Sequence, residues 1–137
     1  MLYSRFFVWR NMKKPSKTTL RNKCDDLWKK IIHAKQHCEV CGSPYHLQAH
    51  HIITRGNLNL RWDLRCGVLL CATHHKFGRY SAHGHLPWFA EWLKENRADD
   101  YEYLKNPIFT KTKTWRISDY EEIYQRLKEV YSEIQTA

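Results

Sequence analysis

Two residue pairs of equal spacing constrain this chain more than anything else in it. Cys38-Glu39-Val40-Cys41 runs into Gly42, and Cys71-Ala72-Thr73-His74 repeats the two-residue gap. Two thiolates so spaced can grip one metal ion from a tight turn, and Gly42 frees the backbone to make that turn. Together the pairs offer Cys38, Cys41, Cys71 and His74, a tetrahedral Cys3His set suited to structural zinc. A redox CxxC is the competing reading, but no thioredoxin-like βαβ pattern surrounds it. Between Cys41 and Cys71 lie 29 residues, longer than the gap of a typical zinc ribbon. Something sizeable must fold between the two clips.

The compartment follows from the same cysteines. There are 5, an odd number, with 9 histidines beside them. A secreted disulfide scaffold is usually even and denser, so metal in a reducing compartment is expected. The apolar run Phe6-Phe7-Val8-Trp9 is too short for a signal-peptide core. No stretch approaches the roughly 18 apolar residues of a membrane span, so no membrane is expected as a partner. A cytoplasmic protein is the expectation.

Charge is unevenly placed. The chain carries +9 overall, of which residues 1–37 hold +8. A localised positive block is the footprint expected for nucleic acid, although a solvated basic helix gives the same count. Lys29 and Lys30 follow Trp28, and Lys13, Lys14 and Lys17 precede that segment.

A length of 137 residues favours one domain. Within it we distinguish a basic arm and helix over 1–37, a zinc-clipped core over 38–85 and C-terminal helices over 86–137. A helix should start after Pro15 with Ser16 or Thr18 as cap, and end near His37. Its apolar stripe is Leu20, Cys24, Leu27, Trp28, Ile31 and Ile32. Alternation over Leu47 to Ile53 predicts a strand, residues 54–63 a loop, and Gly67-Val68-Leu69-Leu70 a buried strand. A helix should start about Cys71 to His74 and stop near Gly78. Another follows with Pro87 at its first position, then a turn or two over 99–105. Ser118-Asp119-Tyr120-Glu121 fits a capping box with Ile117 as staple. The stripe Ile123, Leu127, Val130, Tyr131 and Ile134 then serves packing or dimerisation, so both monomer and homodimer stay open. The fold class is α+β.

The interval between the clips contains Ala49-His50-His51-Ile52-Ile53, and His75 directly follows the second clip. With Arg61-Trp62-Asp63-Leu64-Arg65-Cys66 before the second strand, residues 38–85 resemble the HNH endonucleases, also called ββα-metal nucleases. That family carries Asp/His-His-Ile on a strand, a loop, a second strand preceded by Asn, and a helix bearing the last His or Asn. Many members add two CxxC-like pairs.

The resemblance implies a zinc-stabilised ββα-metal core flanked by α-helices. It also implies a DNA endonuclease that nicks or cuts both strands and leaves 5′-phosphate and 3′-hydroxyl ends. Small stand-alone members are often phage-encoded, which places such a protein in a bacterial host cell. His51 would be the general base, for which an imidazole titrating near neutrality is suited. His50 and His75 would hold a catalytic divalent ion: Mn2+, Ni2+, Co2+ or Zn2+ suits imidazole best, with Mg2+ as a further option. Successive strand side chains point to opposite faces, so His50 and His51 could share a site only through a local irregularity.

One position departs from the family. Cys66 stands where the family has Asn, the residue expected to orient His51, and a thiol is a weak donor and acceptor. Asn57 and Asn59 lie nearby at the wrong spacing. Arg55, Arg61, Lys76 and Arg79 join Lys29 and Lys30 as expected nucleic-acid contacts. His83 and His85 read as surface loop residues, and His33, His37 and His46 as structural ones. The alternative functions are a non-catalytic zinc module that binds nucleic acid, and a protein-interaction domain built on the last helix.

Overall fold

A computed structural model describes residues 13–137. Most of the expected basic arm, residues 1–12, lies outside the described residues. The fold is mixed: α1 (Lys17–His33), β1 (Leu47–His51), β2 (Gly67–Cys71), α2 (Leu86–Asn96), α3 (Ala98–Leu104) and α4 (Ile117–Thr136), with short 3-10 and π-helical turns between them. None of these helices is long and apolar enough to cross a membrane.

Helix α1 starts where its cap allows. The Ser16 hydroxyl accepts from the Thr19 N–H at 3.1 Å, satisfying one of the orphan amides of the first turn. The helix stops at His33, four residues short of the expected end, and Gln36 then takes φ +66° to reverse the chain. Leu20, Cys24, Trp28, Ile31 and Ile32 are buried, as their spacing requires. They pack against Tyr120, Ile123 and Leu127 of α4, with Trp62 and Leu69 completing the cluster. Ile123 and Leu127 of the α4 stripe therefore pack against α1, while Ile134 at its end stays exposed.

The start of α4 corrects the expected capping box. The helix is capped at Arg116, and Ile117 lies inside it. The Asp119 carboxylate accepts from the Arg116 N–H at 2.8 Å. An ionised acceptor makes a stronger bond to the first amides than the Ser118 hydroxyl would, and it draws the start of the helix two residues upstream. In α2 the cap is His85, whose Nδ1 accepts from the Trp88 N–H at 3.1 Å, so Pro87 falls at the second helical position.

The two strands pair antiparallel in an unbroken register from Leu47↔Cys71 to His51↔Gly67. All five residues of β2 are buried. Leu69 faces the α1–α4 cluster, while Val68 and Leu70 face Phe89 and Leu93 of α2. A strand covered on both sides reads as a continuous apolar run, which is the sequence seen. The outer edge of β2 is sealed: the Glu39 amide donates to Leu69 O at 2.9 Å, Glu39 Oε2 accepts from Leu69 N–H at 2.6 Å, and Arg97 donates to Gly67 O at 2.6 Å. Among the described residues the outer edge of β1 pairs with no strand.

Gly67 lets α1 come close. A Cβ there would stand 2.4 Å from Ile32 Cδ1 and 2.7 Å from Trp28 Cζ2. Because Gly67 faces His51 in the register, this close approach also brings Trp28 to His51.

Candidate metal centres

Cys38 and Cys41 sit on a turn closed by Gly42 N–H to Cys38 O at 2.8 Å, with Gly42 at φ +78°. Cys71 ends β2, and His74 lies on the π-helical turn Thr73–Phe77 that follows. The four ligand atoms all lie within 4.8 Å of one another. Cys41 Sγ is 3.8 Å from Cys71 Sγ, and Cys71 Sγ is 3.3 Å from His74 Nδ1. A tetrahedral zinc with bonds of about 2.3 Å to sulfur has sulfur–sulfur edges near 3.8 Å. The same separation is far too long for a disulfide. Burial pushes the Cys38 thiol up, but amides of Cys71, Cys41 and Val40 outweigh it and leave Cys38 below the ordinary thiol value. The geometry of the donor set therefore fits a metal ion, and of its thiols Cys38 is favoured as thiolate while burial pushes Cys41 up.

A second cluster is assembled from three histidines. His50 is the last residue but one of β1, His75 stands on the π-helical turn, and His83 lies on the loop before α2. Their ligand nitrogens lie within 4.8 Å of one another, and His75 Nε2 to His83 Nε2 is 3.1 Å. Burial pushes His50 down to about 3, with His75 and His83 adding to the effect. His75 is lowered by burial, then by His83 and Lys76. Imidazoles held neutral keep a lone pair for a cation.

His83 is an exposed loop residue, as expected, but its ring stands beside His75, which the sequence does not anticipate. Ala82 N–H bonds to His74 O at 2.8 Å and His83 N–H to His75 O at 3.1 Å. That closure sets His83 beside His75. An eight-residue separation across an irregular turn has no periodicity, so the sequence carries no signal for it.

His51 points the other way, as strand geometry requires. Its ring lies on Trp28 with centroids 3.9 Å apart and planes 8° from parallel. His51 Nε2 is 2.9 Å from Arg61 O. A carbonyl can only accept, so Nε2 carries the proton and Nδ1 keeps its lone pair. Burial lowers the His51 pKa, and the bond to the Arg61 carbonyl only partly opposes this. The expected strand irregularity is absent. Instead a cleft of about 460 Å3 runs along the open edge of β1, and His50 from one face and His51 from the other both line it, with His75, His83, Lys29 and Arg55.

Other expected site residues fall differently. Cys66 is fully buried; its Sγ accepts from Ile53 N–H at 3.3 Å and donates to Ile53 O at 3.6 Å. It holds the chain leaving β1 and makes no bond to His51, so the orienting group is the Arg61 carbonyl. Asn57 and Asn59 bind Phe109 O at 3.0 Å each, also away from His51. Arg61 is 8% exposed, and its guanidinium grips Asp25 through Nε at 3.0 Å and Nη2 at 2.7 Å. A buried, bidentate arginine is not free for phosphate, which removes Arg61 from the expected contacts. Lys30 sits over Tyr131, 6.0 Å from the ring centroid, on the α4 side. Arg55 stays exposed at the cleft with Asp25 3.3 Å away. Lys76 and Arg79 are exposed on the turn beside His75.

Compared with protein-family models, with curated proteins and with solved structures, the chain matches none.

Proposed function

We propose that this chain is a metal-dependent DNA endonuclease of the HNH type. One observation carries the reading: a three-imidazole cluster and a separately oriented imidazole line the same cleft, with Lys29 and Arg55 on its walls. The order of strand, loop, buried strand and helical turn agrees with it, as does the Cys3His clip around that order.

His50, His75 and His83 would hold the divalent ion. When bound, the ion supplies Lewis-acid stabilisation of the phosphate charge and of the departing 3′ oxygen. His51 Nδ1 takes the proton of the attacking water, while Arg61 O holds the opposite nitrogen and fixes the ring. Trp28 keeps water from one face of that ring. Lys29, Arg55 and Lys76 bind phosphate oxygens beside the scissile bond, contacts that position a strand without reading its sequence. An all-imidazole ligand set favours Mn2+, Ni2+, Co2+ or Zn2+ over Mg2+.

Plasmid nicking with each of these ions tests the reading. Wild type should convert supercoiled to nicked DNA, and His50→Ala should abolish it while keeping one zinc per chain. A wild-type protein that binds DNA but cuts with none of the ions is a non-catalytic binding module, and the endonuclease reading falls.

A further inference from the structure

We infer that the turn over residues 76–82 is a stacking finger, in which Phe77 and Tyr80 receive unpaired nucleobases beside the phosphate held in the cleft. The inference rests on the endonuclease reading and deepens it, because it names the substrate: DNA with an unpaired nucleotide next to the scissile bond.

The turn is rooted in the histidine cluster. His75 and His83 stand at its two ends, joined by the His83 N–H to His75 O bond at 3.1 Å. Its interior is braced. Gly78 N–H bonds to Thr73 O at 2.8 Å, the Ser81 hydroxyl accepts from Gly84 N–H at 2.9 Å, and Ser81 and Ala82 are buried. What it turns outward is aromatic. Phe77 is 82% exposed and Tyr80 50% exposed. Arg79 stands 5.6 Å from the Tyr80 ring centroid, and Trp88 backs that ring at 6.1 Å. Leu86, also exposed, continues the apolar surface into the cleft beside His83.

Charge selects the occupant. Residues 64–90 contain no Asp or Glu, and among the described residues neither Lys76 nor Arg79 stands in an ion pair. A nucleic-acid strand offers phosphates to the cations and ring faces to the aromatics at once. Paired bases are already stacked inside a duplex, so an exposed ring gains a partner only where a base is free. A braced aromatic turn whose two ends are His75 and His83 of the cleft therefore favours a single strand, a flap or a gap over continuous duplex.

Fluorescence anisotropy of the full chain, zinc-loaded and without a second metal, tests this. The probes are a mixed-sequence single strand, the same strand with abasic sites, and a blunt duplex of equal length. Wild type should bind the single strand more tightly than the duplex. Phe77→Ala should weaken the single strand about five- to a hundredfold, the range for loss of base–aromatic stacking. It should leave the abasic strand unchanged, and Phe77→Trp should restore binding. Zinc content and melting temperature confirm that the exposed substitution leaves the fold intact. Equal binding by Phe77→Ala and wild type, or equal losses on intact and abasic strands, overturns the inference. So does conversion of a dimer to a monomer with DNA affinity unchanged, which would make Phe77 a self-association contact. Nicking of duplex with Phe77→Ala unimpaired overturns the finger alone, whereas wild type binding no probe overturns the endonuclease reading with it.

Discussion

At His51 two contacts act on different parts of one ring. Arg61 O settles which nitrogen carries the proton, and Trp28 excludes water from a face. Burial holds the pKa below the ordinary imidazole value of about 6.5, so the ring is neutral at pH 7 and ready to accept a proton. A base must be unprotonated to work, so cleavage should fall as pH drops through that lowered pKa. The acid limb of the pH–rate profile should therefore lie below about pH 6.5. His51→Ala should reduce nicking by about 10²–10⁴ and remove that limb, with DNA affinity and zinc content kept. Cys66 calls for a different expectation. Burial raises its thiol, which stays protonated and bonds both backbone groups of Ile53. Cys66→Ala leaves the Ile53 amide without that partner and should cost about 1–3 kcal/mol in urea unfolding. Because Cys66 does not touch His51, the pH–rate profile of Cys66→Ala should keep its shape.

Among the elements, β2 joins the two sides of the molecule and α1 brings Trp28 and Lys29 to the cleft. Gly67→Ala would drive a methyl into Ile32 and Trp28. We expect about 1–3 kcal/mol of destabilisation from this overpacking, and a loss of nicking beyond the lost stability, because Trp28 must shift off His51. Helix α1 also separates two adjacent lysines by function. Lys29 lines the cleft and Lys30 turns toward Tyr131. Lys29→Ala should make the slope of log K against log salt shallower by about 0.9 on duplex DNA, and Lys30→Ala should leave it unchanged. These same elements show what the chain makes legible. The stripe of α1 and the apolar run of β2 are buried almost throughout, and the stripe of α4 is buried at Ile123 and Leu127, half-buried at Val130 and Tyr131 and exposed at Ile134. The Cys3His clip is legible because equal spacing on two turns is a local signal. His83, the Arg61 carbonyl and the cleft along the strand edge were not. Each depends on where a turn or a loop lands after folding, and backbone carbonyls have no sequence identity at all. Arg61 misleads for the complementary reason. Its charge suggests phosphate, and only the fold reveals Asp25 of α1 already bound to it.

For the molecule as a whole, the Cys3His clip ties the turn after α1 to the end of β2, and the π-helical turn continues from there into the second cluster. Zinc binding in such clips contributes of order 10 kcal/mol to folding. Cys41→Ala should therefore give an unfolded or aggregated chain by circular dichroism, whereas His50→Ala should melt as wild type does.

His74 and His75 are consecutive residues, the first completing the clip and the second opening the histidine cluster. Neighbouring occupants thus have a built-in order of arrival. Until an ion fixes His74, the turn that presents His75 is held only by its backbone bonds to residues 78–83, so the histidine cluster should bind its own ion more weakly. Titrating metal-free chain with Co2+, whose thiolate and imidazole sites absorb differently, should fill the sulfur site to completion before the nitrogen site begins. A chelator strong enough to empty the clip should silence the cleft in the same step, while a weaker one should strip the cleft and leave the fold standing.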